Sequence, residues 1–248
     1  MSARVYAAFL VLAALVTAVL TVVTRAPAVW VGDWLEARGK LRFVDARGTV
    51  WNGSAMLGVT DGRVITTVPG RVSWKLGLGT ILSGRLTADV SHPALATPLA
   101  ISLAANSIRF AGGRAELPAA VLSVVGAPFN TVRPGGTLAV EWTDIGIGKG
   151  GLAGKAQVEW RDAQSALSPI APLGSYRLSI TGTDNAGSVR LDTLRGPLKL
   201  EGSGTLKGWR ISFRGLASVE PDMQGALNGL IGVLGPRSGH NALLALET

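Results

Sequence analysis

The chain has 248 residues, no cysteine, and 24 Lys and Arg against 16 Asp and Glu. Apolar residues make up 47% and Gly fills 33 positions, a mixture that fits a Gly-punctuated β protein and excludes a disordered or collagen-like one. Lack of cysteine excludes disulfides, thiolate metal sites and Cys nucleophiles, and the diffuse positive excess, without a basic run or RNA-binding motif, gives no expectation of nucleic acid as a partner.

From Val5 to Val23 every residue is apolar or Thr. At ~1.5 Å per residue this run rises about 28 Å, enough to cross the hydrocarbon of a bilayer. Residues 1–25 are therefore expected to hold a cytoplasmic N-terminus and a transmembrane anchor. Ala26-Pro27-Ala28 has the small-x-small look of a signal-peptide cleavage site. The apolar run is longer than such peptides use, and Pro27 sits between the alanines, so an uncleaved anchor is expected. In the juxtamembrane segment 26–40, Trp30, Val31, Trp34 and Leu35 fall at helical spacing. That short helix can lie against lipid headgroups or plug the end of a β domain; both readings stand.

From Leu41 onward, short alternating segments are broken by turn residues. Asn52-Gly53, Asp61-Gly62 and Pro69-Gly70 predict successive tight turns. Period-2 alternation marks Val72, Trp74 and Leu76; Leu86, Ala88 and Val90; Leu138, Val140 and Trp142; Ala156, Val158 and Trp160; and Tyr176, Leu178 and Ile180. It returns from Leu206 through Trp209 to Ile211 and Phe213. A sheet with one apolar face needs cover, and two helical candidates supply it. One follows Pro118 through Val121, Leu122, Val124 and Val125 to Gly126. The other carries Met223, Ala226, Leu227, Leu230, Ile231 and Leu234 on one helical face, opened by Pro221-Asp222 and stopped by Gly235-Pro236.

Ile108 to Pro118 parallels Ile211 to Pro221, each leading to an apolar helix, and Trp74 with Gly84-Arg85-Leu86 parallels Trp160 with Tyr176-Arg177-Leu178. These matches predict two related β-rich repeats, 41–130 and 131–236, the second with its closing helix, followed by a polar tail at 237–248. The short link from Pro128 to Gly136 favours one shared sheet over separate domains. The expected fold is mainly β: a long antiparallel curved sheet or incomplete barrel with short covering helices, plus the N-terminal transmembrane helix.

Only His92 and His240 exist. Both are expected as solvated loop histidines, because no motif supplies the positioned nucleophile and orienting acid that a triad needs. Glu116 and Glu220 occupy matching places at strand-to-helix transitions, where a carboxylate favours the positive end of a helix dipole, and a structural role is expected for both. Gly146-Ile147-Gly148-Lys149-Gly150-Gly151 lacks phosphate-loop spacing and predicts a hairpin tip. Trp51 is expected as a core aromatic beside a turn. No catalytic, cofactor-binding or metal-binding residue and no cofactor is expected, and the chain is not expected to be an enzyme.

The segment Gly48-Thr49-Val50-Trp51-Asn52-Gly53-Ser54-Ala55 resembles the glycine, Trp and Gly-x-Ala signature of the type II secretion protein N family. The resemblance continues in order along the chain: Trp74-x-Leu76, Leu82-x-Gly84-x-Leu86, Gly196-Pro197-Leu198 leading to Gly202, and Phe213, Gly215 and Ala217 before a Leu- and Gly-rich helix. It implies an accessory component of the machine that exports folded proteins from the periplasm across the outer membrane. Such a component is held in the inner membrane by one helix, has its bulk in the periplasm, has no established enzymatic activity, and has other secretion components as partners. The implied β architecture is also similar to the lipid-groove modules of AsmA-like envelope proteins, which leaves a lipid or hydrophobic ligand as the alternative partner.

Overall fold

The computed structural model describes residues 13–14, 17, 21–22, 24–37, 41–60, 65–77, 84–125, 129–239 and 241–247. Most of the expected anchor, the Asp61-Gly62 turn, Gly126 and His240 lie outside them. Among the described residues no helix is long and apolar enough to cross a membrane. The chain divides into two compact units, Met1–Gly79 and Thr80–Thr248, whereas the expected repeat boundary lies near residue 130.

In the first unit, helix α1 (Val29–Glu36) precedes the antiparallel strands β1 (Leu41–Gly48), β2 (Asn52–Thr60) and β3 (Ile65–Gly77). Between β1 and β2, Thr49 N–H donates to Asn52 O at 2.9 Å and Gly48 takes φ 86°. The positive-φ residue is therefore Gly48, and the Asn52-Gly53 pair opens β2 instead of forming the turn. Pro69-Gly70 is not a turn either. β3 runs through it as a bulge, with Met56 opposite Arg71, Gly58 opposite Thr67 and Gly70 at φ 106°. A bulge also leaves one residue unpaired and uses the positive φ of Gly, so the dipeptide suits both.

The residues before α1 belong to this unit. Pro27 bridges Thr49, Ala28 N–H donates to Gly48 O at 3.1 Å and Val50 N–H to Ala26 O at 2.8 Å, and both alanines are buried. Helix α1 sets Gly32 against Phe43 and leaves Val29 and Trp30 50% and 53% exposed. Phe43 stacks on Trp74 at 5.2 Å, and Trp74 Nε1–H donates to Val50 O at 2.9 Å. Gly53 lies directly across from Trp74; a Cβ there would stand 2.5 Å from the indole. Among the described side chains of this unit the buried indole is thus Trp74, while Trp51 is only half-buried.

The second unit is an open antiparallel meander. Its elements are β4 (Arg85–Ser91), β5 (Leu99–Ala104), β6 (Ser107–Phe110), β7 (Gly113–Pro118), a 3₁₀ helix (Ala119–Val125), α2 (Phe129–Val132), β8 (Pro134–Trp142), β9 (Ile145–Gly148), β10 (Gly151–Ser165), β11 (Gly174–Thr183), β12 (Ala186–Arg195), β13 (Leu198–Lys207) and β14 (Arg210–Val219). A 3₁₀ turn (Pro221–Met223), α3 (Gln224–Leu234), β15 (Arg237–Ser238) and β16 (Asn241–Glu247) follow. The strand order is β4-β5-β6-β9-β10-β11-β12-β13-β14-β16-β15, with β7 on β8 and β8 on β10. β6–β7 and β8–β9 are bent strands running side by side, and at the bend Gly112 N–H donates to Asp144 Oδ1 at 3.0 Å.

Register sorts side chains by face. Trp142, Ala156, Ile180, Val189, Gly204, Phe213 and Leu246 form one cross-strand row, and Val140, Val158, Leu178 and Leu191 lie in the next. This is the apolar face predicted by alternation. Helix α3 covers one end of it, burying Leu227, Leu230 and Ile231 among Leu173, Tyr176, Leu198, Ala217 and Val219. The helix, its stripe of Leu227, Leu230, Ile231 and Leu234 and its Gly235-Pro236 stop agree with the sequence, whereas Met223, in the 3₁₀ turn, and Ala226 are exposed.

Four further expectations are corrected. The segment after Pro118 is a 3₁₀ helix, in keeping with three β-branched valines that disfavour an α-helix. The run Leu206 to Phe213 is two strands, split by a hairpin at Gly208-Trp209. The supposed polar tail contributes β16, which pairs with β14 and buries Ala242. His92 lies in a loop, but its ring is half-buried: Nδ1 accepts from Ala94 N–H at 3.0 Å and Nε2 is enclosed without a partner among the described residues.

Candidate interaction surfaces

The residues that could suggest chemistry do not converge. Glu116 is exposed on β7, and Glu220, after β14, pairs with Lys199 at 3.2 Å. Six strand spacings separate β7 from β14, about 29 Å along the sheet at ~4.8 Å each. Glu220 makes no side-chain cap bond, so its structural role is an ion pair instead of a cap. Gly146–Gly151 forms the β9–β10 hairpin as expected. Among the described residues no group of three or more His, Cys, Asp or Glu could hold a metal.

The polar face of the second unit carries ion pairs within and between its strands. Arg114 pairs with Glu141, and Glu159 receives Arg177 at 2.8 Å and Arg161 at 3.2 Å. Arg177 foremost, with Arg161, holds the Glu159 carboxyl below the usual carboxylate range against the opposing effect of its burial. Two open cavities lie against the sheet: one of about 440 Å³ beside Arg114, Glu141, Lys155 and Gln157, the other of about 670 Å³ where Thr87, Asp89, Ser102 and Arg109 meet the apolar Ala88, Ile101, Phe110 and Ile145.

One local arrangement, which sequence reasoning missed, occurs in both units. Asp45 on β1 takes φ 51° at a bulge and pairs with Arg47 and with Arg71 of β3, while Arg71 also reaches Ser54 Oγ of β2 at 3.4 Å. Asp162 on β10 takes φ 48° at a bulge and pairs with Arg195 of β12 at 2.5 Å, while Arg195 reaches Ser175 Oγ of β11 at 3.3 Å. In each, an aspartate tolerates the left-handed backbone and a guanidinium two strands away clamps it. The signal was present in the sequence as Phe43-Val44-Asp45-Ala46 and Trp160-Arg161-Asp162-Ala163, followed by Gly53-Ser54 and Gly174-Ser175.

Arg47 and then Arg71 hold the Asp45 carboxyl low. A carboxylate depressed in the folded state stabilises at pH values above its unfolded pKa, and that contribution is lost as pH falls through the folded value. Acid titration followed by tryptophan fluorescence should therefore show stability falling below about pH 4, the ordinary carboxylate range. A D45N/E159Q variant should be less stable at neutral pH and flatter in acid; an unchanged acid dependence would place the sensitivity elsewhere.

Beyond the reach of α3 the apolar face is half-open, with Leu246 51% exposed on the row of Phe213. Three of the hairpin tips that end this side of the meander are Lys149-Gly150, Asp184-Asn185 and Gly208-Trp209, the last bearing an indole 56% exposed.

No curated protein and no solved structure matches the chain. A family model, type II secretion system (T2SS), protein N, matches residues 39–243, which takes in nearly all of β1 to β16. The chain therefore belongs to the type II secretion system protein N family.

Proposed function

We propose that the chain is an accessory, non-catalytic component of the type II secretion machinery, held in the inner membrane by residues 5–23 with its bulk in the periplasm, and that it acts by protein–protein contact. The family match over residues 39–243 carries this reading. The uncleaved anchor is supported by Ala26 and Ala28, whose backbone bonds to Val50 and Gly48 would be broken by processing at that site. It is also supported by the hydroxyls of Thr17 and Thr21, which donate to Ala13 O and Thr17 O at 2.8 Å, so that these two groups are satisfied within hydrocarbon. The exposed Val29 and Trp30 suit a helix resting on headgroups. A duplicated origin is supported by the recurring Asp-Ser-Arg arrangement, which aligns Phe43 with Trp160 in place of Trp74.

A strain lacking the gene should retain its exoproteins in the periplasm. The membrane-extracted chain should have the mass of the unprocessed sequence, and periplasmic crosslinking should recover other secretion components. Normal exoprotein release together with no such crosslink would overturn the reading.

The half-open apolar face favours a second reading, a bound lipid or hydrophobic ligand. Native mass spectrometry of the extracted protein without retained lipid would exclude it.

A further inference from the structure

The three hairpin tips of the second unit make one surface. Gly208 N–H donates to Asn185 O at 3.0 Å. A Cβ on Gly150 would stand 2.6 Å from Asn185 Oδ1, and one on Gly151 would collide with Asp184 O and Gly208 O. Glycine at these contacts lets the backbones touch, so the tips support one another.

On this surface Trp209 is, among the described residues of the unit, the most exposed large apolar side chain, at 56%. Lys149, Lys207 and Arg210 are also exposed and, among the described residues, form no ion pair; Asp184 is the one carboxylate on the tips. Behind the tip, Leu206 faces Ile211, and the half-open pair of Phe213 and Leu246 continues the same apolar face. An indole on a tip whose strand ends carry Lys207 and Arg210, with Lys149 on the adjoining tip and apolar surface behind it, matches the headgroup layer of a membrane. Trp prefers that layer, and basic side chains there meet lipid phosphates. An acidic protein would engage the cations but would leave the indole and the apolar lead-in unexplained.

We infer that these tips dock on an anionic bilayer surface, with Trp209 in the headgroup layer and Lys149, Lys207 and Arg210 against lipid phosphates. This contact is additional to the N-terminal anchor and does not rest on the secretion role.

Because the chain has no cysteine, an Asn185→Cys variant of the full chain can carry one environment-sensitive fluorophore. It is reconstituted in vesicles of phosphatidylcholine alone or mixed with phosphatidylglycerol. The fluorophore should shift to the blue and be quenched by lipid-borne quenchers only in the mixed vesicles, and added salt should reverse both effects. A label at Ser203, on the polar face in mid-strand, should stay wet. The K207A/R210A variant should lower the ratio of lipid-exposed to wet label by about thirtyfold, the scale of two basic residues at an anionic surface. W209S should abolish quenching with the circular dichroism unchanged. A wet tip label in both vesicles overturns the inference, as does an equal shift in phosphatidylcholine alone. A shift that appears only on adding envelope proteins also overturns it and makes an acidic protein the partner.

Discussion

Trp74→Ala is expected to destabilise the first unit by about 3–5 kcal/mol, the range for truncating a buried large aromatic. The indole is 8% exposed, stacks on Phe43 at 5.2 Å, lies over Gly53 and bonds Val50 O at 2.9 Å. Its loss leaves a cavity between β1 and β3 and strips the N–H partner from a carbonyl at the β1–β2 turn. The same turn holds the Ala26–Ala28 bridge, so the damage should extend to the junction with the N-terminal segment. Trp51→Ala should cost clearly less, because its ring is only half-buried. Urea unfolding of the detergent-extracted chain, followed by fluorescence, checks both. A midpoint shift for Trp51→Ala equal to that for Trp74→Ala would show that the turn, and not the stacked indole, holds the unit together.

Leu227→Ala should cost the second unit about 2–5 kcal/mol. Leu227 is fully buried and Leu230 nearly so, and with Ile231 they are the contact by which α3 covers the sheet. The helix is rich in Gly and carries neither an acidic first turn nor a basic last one, so its stability comes from this contact more than from propensity. Removing the side chain should loosen the helix as a whole and uncover the apolar rows beneath it. A lower urea midpoint with increased binding of a hydrophobic dye is the expected result. Leu243→Ala, at a side chain 47% exposed, should change stability by no more than about 0.5 kcal/mol, as surface positions usually do. Equal effects at the two leucines would mean that α3 does not seal the core.

Much of the fold was legible because alternation depends only on nearest neighbours along the chain. Val72-Trp74-Leu76, Ala156-Val158-Trp160 and Tyr176-Leu178-Ile180 announce their apolar sides whatever they pair with. The stripe Leu227, Leu230, Ile231 and Leu234 likewise announces a helix face. Turn dipeptides were less decisive: Pro69-Gly70 serves a bulge and Asn52-Gly53 a strand start, because positive φ and a missing N–H are compatible with several backbones. The β16 strand was missed because Asn241 to Glu247 is short and built of Ala and Leu, residues without strong strand preference; its partner β14 makes it a strand.

By itself, then, the sequence determined the β class, the amphipathic helix, the absence of cysteine chemistry and, through ordered short motifs, the family. Only the tertiary structure decided which indole is buried, which carboxylates meet arginines, and which hairpin tips share a surface. Asp45 with Arg71, Asp162 with Arg195, and Lys149 beside Gly208-Trp209 are 26, 33 and about 60 residues apart. What joins them is the lateral order of strands, set by cross-strand pairing and bulges that local periodicity does not encode.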